Sequence, residues 1–371
     1  MFMPPSLRAL VLCATLAAVS TTGVAQSPPA PSDSGALLYR GISYGSQSTF
    51  SPITMLLNVG FEDFLGSGSD RRLGAFPFRR AAGATWDGII HPIRAIDRYG
   101  GWRPWITSEI LPLEFSFSAG WVPNYATHLV TGSMQTRMLS EWYRAHNVPA
   151  PRVMGSLTFL AASFLHETVQ FPHSTQGSAT SVSDLYVFDL SAAVLGHFGG
   201  MVPFLVHRLD AANWAPLVSV VMPGGEATNL GDYWIYKVPL PFRTRTRLFA
   251  RVGYGSQLGF THPLRDSLAF SMAFGEDTDQ RTVDPVTLDE SVTVVHSLWA
   301  SIDRNNSLLV SLGVSGRRED RVTVNIYPGV LRGRASGFGL WLVADAGGRT
   351  RVGVAHRSAL GLGIGQTLRG R

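Results

Sequence analysis

The sequence predicts an α+β protein: an N-terminal three-helix segment followed by an antiparallel β-barrel of about 8–12 strands, of the outer-membrane type. Three observations carry this. An export signal opens the chain, the middle reads as helices that are too short or too polar to span a bilayer, and the last third alternates with a period of two. From Leu248 to Phe260 the even positions are Leu248, Ala250, Val252, Tyr254, Ser256, Leu258 and Phe260. The odd ones are Phe249, Arg251, Gly253, Gly255, Gln257 and Gly259. The same beat returns over Leu268–Phe274 and Leu308–Val314. Successive strand residues point to opposite faces, so each run makes one oily face and one small or polar face.

Residues 1–25 read as a secretory signal. Arg8 is its lone base, Ala9 to Val19 form a short apolar run, and Gly23-Val24-Ala25 fits a cleavage site before Gln26. The run is too short for a spanning helix, and Leu12 before Cys13 does not fit a lipoprotein site. Cys13 is the only cysteine, so the exported chain has no disulfide, thiolate metal site or cysteine nucleophile. Residues 26–35 form a Pro/Ser-rich flexible linker.

The formal charge is +5. Lys237 is the single lysine, and arginine favours carboxylate and phosphate partners. Outer-membrane lipid is therefore an expected partner, with an envelope protein as another, although genome composition explains the same arginine bias. The bases are scattered, which excludes nucleic acid. Nothing in the composition fixes an oligomeric state.

Residues 36–122 are irregular. Thr54–Leu65 reads as a short amphipathic helix, Gly100–Trp105 as a turn and Glu114–Gly120 as a strand. Residues 123–200 are helical. Asn124 is placed to cap a helix running to about His146. Pro151 opens a second helix to about Gln170, and a third runs from near Ser181 to Gly199-Gly200. Residues 201–371 form the strand region, with about nine or ten strands from Trp214 onward. Tyr233, Trp234, Tyr236, Trp299, Phe338 and Trp341 are candidates for interfacial girdles. The small residues Gly361, Gly363 and Gly365 suit a narrow lumen or one that receives a plug. Pro239, Pro241 and a C-terminus without a final aromatic residue count against a barrel.

Ionisable groups in apolar helices are costly unless paired. His128, Glu167, Asp184 and Asp189 form the candidate catalytic cluster, drawn from the three helices. The same residues suit a metal site, a general acid–base site or a satisfied structural network. Ser181-x-x-Asp184 also fits a capping box, and His166 fits a helix-terminal charge. There is no His-Glu-x-x-His and no Gly-x-Ser-x-Gly, and the Gly-rich stretches do not precede helices, so no cofactor is expected. Whether the cluster takes a metal stays open.

Asn124, His128 and Gly132, then Glu167, then Ser181, Asp184 and Gly196 resemble the pattern of an uncharacterised bacterial envelope family. His166 replaces that pattern's aromatic residue, and Phe171 stands where a second glutamate is expected. The resemblance covers roughly residues 50–200 and implies a shared polar cluster without an established activity. The function expected is that of a non-enzymatic outer-membrane barrel with a helical plug or docking segment. Two alternatives are an envelope lipid or peptidoglycan hydrolase that uses the cluster, and a soluble periplasmic β-sandwich.

Overall fold

The computed structural model describes residues 37–66, 71–112, 121–170, 177–241, 245–265, 267–283, 290–358 and 360–368. The signal, the linker, Cys13, Phe171 and the strand expected at Glu114–Gly120 lie outside the described residues. The chain forms two compact units. One comprises the residues up to Ala75 with Pro203–Thr282 and Ser291–Arg371, and the other Phe76–Val202 with Val283–Glu290.

The first unit holds a 13-stranded sheet. Its strands are β1 (Ala212–Asn213), β2 (Ser219–Val221), β3 (Glu226–Thr228), β4 (Trp234–Pro239), β5 (Arg247–Val252), β6 (Gly255–Pro263) and β7 (Leu268–Val283). They continue with β8 (Glu290–Arg304), β9 (Ser307–Ser315), β10 (Val322–Ile326), β11 (Phe338–Ala344), β12 (Thr350–His356) and β13 (Gly363–Leu368). The order is β1-β4-β5-β6-β7-β8-β9-β10-β11-β12-β13-β2-β3, antiparallel in the described registers except between β13 and β2. Hairpin chemistry explains the meander. Between β8 and β9, Asn305 and Asn306 adopt φ of 51° and 58°, the left-handed pair that a tight two-residue turn requires. Pro239 takes the last position of β4, where a missing N–H costs least.

The expected closed barrel is not what forms. The sheet remains open, with β1 and β3 at its two ends. The reason lies in the strand ends: β1 has two residues and β3 three, and N-terminal residues cover both. Ser46 Oγ donates to the Asn213 carbonyl of β1 at 3.4 Å. At the other end Ala227 N donates to the Arg71 carbonyl (2.9 Å) and Leu73 N to the Gly225 carbonyl (3.0 Å). The residues that precede the sheet thus satisfy edge groups that barrel closure would otherwise satisfy.

The sheet's two faces have inverted polarity. Arg251, Gln257, Ser271, Ser301, Ser311, Asn325 and Arg351 are buried. Leu258, Phe260, Phe274, Leu312, Val354 and Ile364 on the same strands are exposed. The N-terminal stretch runs along the polar face. Gly45 N donates to Pro328 O (2.8 Å), Gln47 N to Ser307 Oγ (3.3 Å), and Ser51 Oγ to Leu360 O (2.8 Å). A side chain at Gly361 would meet the Thr49 carbonyl at 2.1 Å, and its φ of 63° is itself a glycine conformation. The helix in this stretch is α1 (Pro52–Gly60), capped reciprocally by Ser51 and Thr54, with a tighter turn at Glu62–Leu65.

The expected girdle is corrected in part. Tyr233, Trp234, Trp299 and Trp341 are buried, and only Phe338 of the set is exposed. Strand parity decides this: Trp341 points to the polar face, and its ring takes the space that side chains at Gly353 and Gly365 would fill. Arg251 stacks between Tyr233 (3.4 Å) and Trp299 (3.9 Å). A cavity of about 50 Å³ beside it, lined by Arg251, Gln257, Asp277 and Asn325 among apolar groups, has room for a few water molecules.

The second unit is helical and larger than the three-helix segment expected at 123–200. Before that segment come α2 (Phe78–Ile90), α3 (Pro92–Arg98) and α4 (Trp102–Trp105), all in a stretch expected to be irregular. A π-helical stretch, Trp121–Thr131, leads into α5 (Gly132–Ala145). Then come α6 (Pro151–Gln170), α7 (Ala179–Ser183), a second π stretch Asp184–Asp189, and α8 (Leu190–Leu195). The short α9 (Met201–Leu209) comes next in the chain, with Pro203–Leu209 belonging to the first unit. Met134, Met138, Leu139, Phe159, Ala162, Phe188 and Ala192 are buried. No helix of the described residues is long and apolar enough to cross a membrane.

Candidate functional site

Glycine contacts set the helix spacing in this unit. A side chain at Gly132 would meet the Phe159 ring at 2.7 Å, one at Gly155 would meet Ser140 Oγ at 2.1 Å, and one at Gly196 the Ser133 carbonyl at 2.6 Å. Small residues let helix backbones approach closely, and that approach brings polar groups from three segments together.

His128 projects from the first π stretch. Its Nδ1 lies 3.0 Å from Asp189 Oδ1, and its Nε2 lies 3.7 Å from Asp184 Oδ2. Asp184 and Asp189 begin and end the second π stretch. In a regular α-helix, residues five apart differ by about 140° of rotation and face different ways. A π turn bonds residue i to i+5 and stacks such residues, so both carboxylates meet one imidazole. Glu167 reaches the cluster from the end of α6 and is fully buried. His166 is its neighbour in sequence, and its ring lies edge-on to that of His128 with centroids 6.0 Å apart. One ligand atom from each of His128, His166 and Glu167 lies within 4.8 Å of the other two.

Burial alone would push the His128 imidazole down, but Asp184, then Asp189, override it and hold it up to about 10. Burial raises the Glu167 carboxyl to about 8, and Asp184 adds to the rise. His128 and Ser181 pull it back. Even so, neither Glu167 oxygen has a hydrogen-bond partner of normal geometry, and neither does Asp189 Oδ2. At neutral pH both His128 and Glu167 therefore hold their protons. The pair offers an acid and no free base until a proton is displaced.

Stability should follow these protons. Glu167 keeps its proton in the folded chain between pH 4.5 and 8, where the unfolded chain has released it. Stability therefore falls as pH rises through that window. His128 acts in the same direction: its contribution is fully present below pH 6.5 and is lost as pH rises through about 10. In chelator-treated protein the melting temperature is expected to decline from pH 5 to pH 10, and Glu167→Gln to flatten the lower part. A profile that rises over this range, followed by circular dichroism, contradicts the assignment.

All four residues expected in the cluster, His128, Glu167, Asp184 and Asp189, are brought together. The sequence set lacked His166, whose signal was its adjacency to Glu167. Asn124 does not cap a helix: it sits within the π stretch, and its side-chain amide donates to the Glu109 carbonyl at 2.7 Å. The helix of Asp184 is capped instead by Ser178, whose hydroxyl accepts from Thr180 N, so Asp184 is not a capping-box residue. His197 lies apart, 2.9 Å from Ser156 Oγ. Comparison with protein-family models, curated proteins and solved structures yields no match to this chain.

Proposed function

We propose that the chain is a non-enzymatic outer-membrane protein of the bacterial envelope, anchored by the apolar face of its sheet. The observation that carries this reading is the inverted polarity of the strands, with Leu258, Phe274, Val354 and Ile364 exposed and Arg251, Gln257, Asn325 and Arg351 buried. A soluble sandwich buries the oily face of its strands and exposes the polar one. A sheet in lipid does the reverse. Open edges are costly in hydrocarbon, and here the two ends are short, buried and bonded to the N-terminal residues. The export signal at residues 1–25 agrees with this address.

The role is structural, transport or partner-binding. Outer-membrane lipid is the first partner. The helical unit also exposes Trp86, Ile93, Trp102, Val194 and Phe198, apolar groups that suit lipid or an envelope protein partner. The test is fractionation of cells that express the full chain. The protein is expected in the outer-membrane pellet, resistant to carbonate and urea washes and released by detergent. Recovery in the soluble periplasmic fraction would falsify the proposal.

A further inference from the structure

We propose that the helical unit binds one divalent transition-metal ion through His128, His166 and Glu167, with Asp184 as a fourth donor and Asp189 as the residue that orients His128. This inference stands apart from the membrane reading, since every residue in it belongs to the helical unit.

The donor set comes first. Two imidazoles with carboxylates suit zinc, or iron or manganese in the same oxidation state. The spacing is next. Three atoms that all lie within 4.8 Å of one another have a common centre no more than about 2.8 Å from each (4.8/√3), and zinc ligands sit at about 2.0–2.2 Å. Side-chain rotations that move each donor by under about 1 Å close that gap.

Orientation is already supplied. The Nδ1 of His128 faces Asp189 Oδ1 at 3.0 Å, so Nδ1–H donates there, and a metal that displaces the Nε2 proton meets the lone pair on the side of Asp184. A carboxylate behind a ligating histidine fixes the tautomer and the ring direction in this way. Glu167 gives an independent pointer. It is fully buried with both oxygens unpartnered, and among the described residues it has no arginine or lysine partner. A buried carboxyl in this condition keeps its proton unless a cation takes the proton's place. The cluster is also reachable, since the His128 side chain keeps 14% of its surface exposed.

The experiment uses the full chain in detergent, stripped with chelator and titrated with zinc alone. Calorimetry is expected to give one equivalent per chain and a rise in melting temperature. Cobalt(II) at the same site should add visible absorption bands of a low-symmetry nitrogen–oxygen complex. Asp189→Asn should weaken binding by about 10–100-fold, and His166→Asn and Glu167→Gln by more. Glu167→Gln keeps the shape of the protonated side chain and removes the carboxylate a metal would need, so the metal-free variant should melt no lower than wild type. That outcome separates a metal ligand from a member of a structural network. Failure of wild type to bind zinc overturns the proposal. So does unchanged affinity in both His166→Asn and Glu167→Gln, which would place the metal on other histidines. A membrane-localised chain that binds no metal would leave the proposed function intact and remove only this inference.

Discussion

Leu258→Arg and Phe274→Arg are each expected to destabilise the sheet by about 2–4 kcal/mol when the chain is folded into lipid vesicles. These side chains are 65% and 58% exposed, project from the paired central strands β6 and β7, and lie directly opposite each other in the register Leu258↔Phe274. At the surface of a water-soluble protein the same replacements would change stability by no more than about 0.5 kcal/mol, because arginine there exchanges one solvated group for another. In hydrocarbon the guanidinium must be dehydrated or drag water and head groups inward. The two environments thus predict effects several-fold apart from one substitution. The measurement is reversible unfolding by denaturant in vesicles, with parallel recovery of the variants from outer membranes. Wild-type midpoints for both variants would remove lipid from the account of this face.

Asp320→Ala is expected to cost about 3–5 kcal/mol, the range for breaking a buried ion pair by deleting one partner. Asp320 Oδ2 lies 2.6 Å from Arg71 Nη1, and its Oδ1 lies 3.3 Å from Arg351 Nη1, with all three side chains almost fully buried. Its removal leaves two guanidinium groups facing each other's charge in a poorly hydrated space. Glu319 (2.9 Å from Arg71) and Glu226 (2.9 Å from Arg351) offset part of that loss, which places the effect near the lower bound. The change should also loosen the segment that covers β3, since Arg71 and Leu73 make its edge bonds. Limited proteolysis is then expected to cut near Arg71 and Arg72 in the variant well before wild type. A variant that unfolds at the wild-type midpoint and resists cleavage equally would show that the network is not what fastens the N-terminal stretch.

Much of this architecture was legible in residue order. The second helix runs from Pro151 to Gln170 as its proline start and apolar spacing predicted. The two-residue beat marked the strand region of β5 to β7 and of β9 and sorted Leu258 from Gln257, but it read Leu248–Phe260 as one run where the chain turns at Gly253-Tyr254 between β5 and β6. Helices α2 to α4 were not legible, because Phe78–Ile90 mixes glycine, alanine and arginine and becomes a helix only when Ala81, Ala84 and Thr85 find a surface to cover. The aromatic girdle failed for a similar reason: an aromatic ring beside an exposed apolar residue reads the same whether it anchors at an interface or fills the space left by Gly353 and Gly365.

The candidate site shows the same division. Composition and periodicity singled out His128, Glu167, Asp184 and Asp189 because charge inside apolar helices demands a partner. Which partner was invisible, since α-helical spacing sends Asp184 and Asp189 to different faces. Only the π stretch stacks them. Alone, then, the residue order determined which positions are oily, which are polar and which period they follow, because those are properties of neighbours along the chain. The tertiary structure decided that the sheet stays open, that residues before it cover both its ends, and that His166 joins the cluster. Each of these depends on groups far apart in sequence meeting at distances that no local pattern encodes.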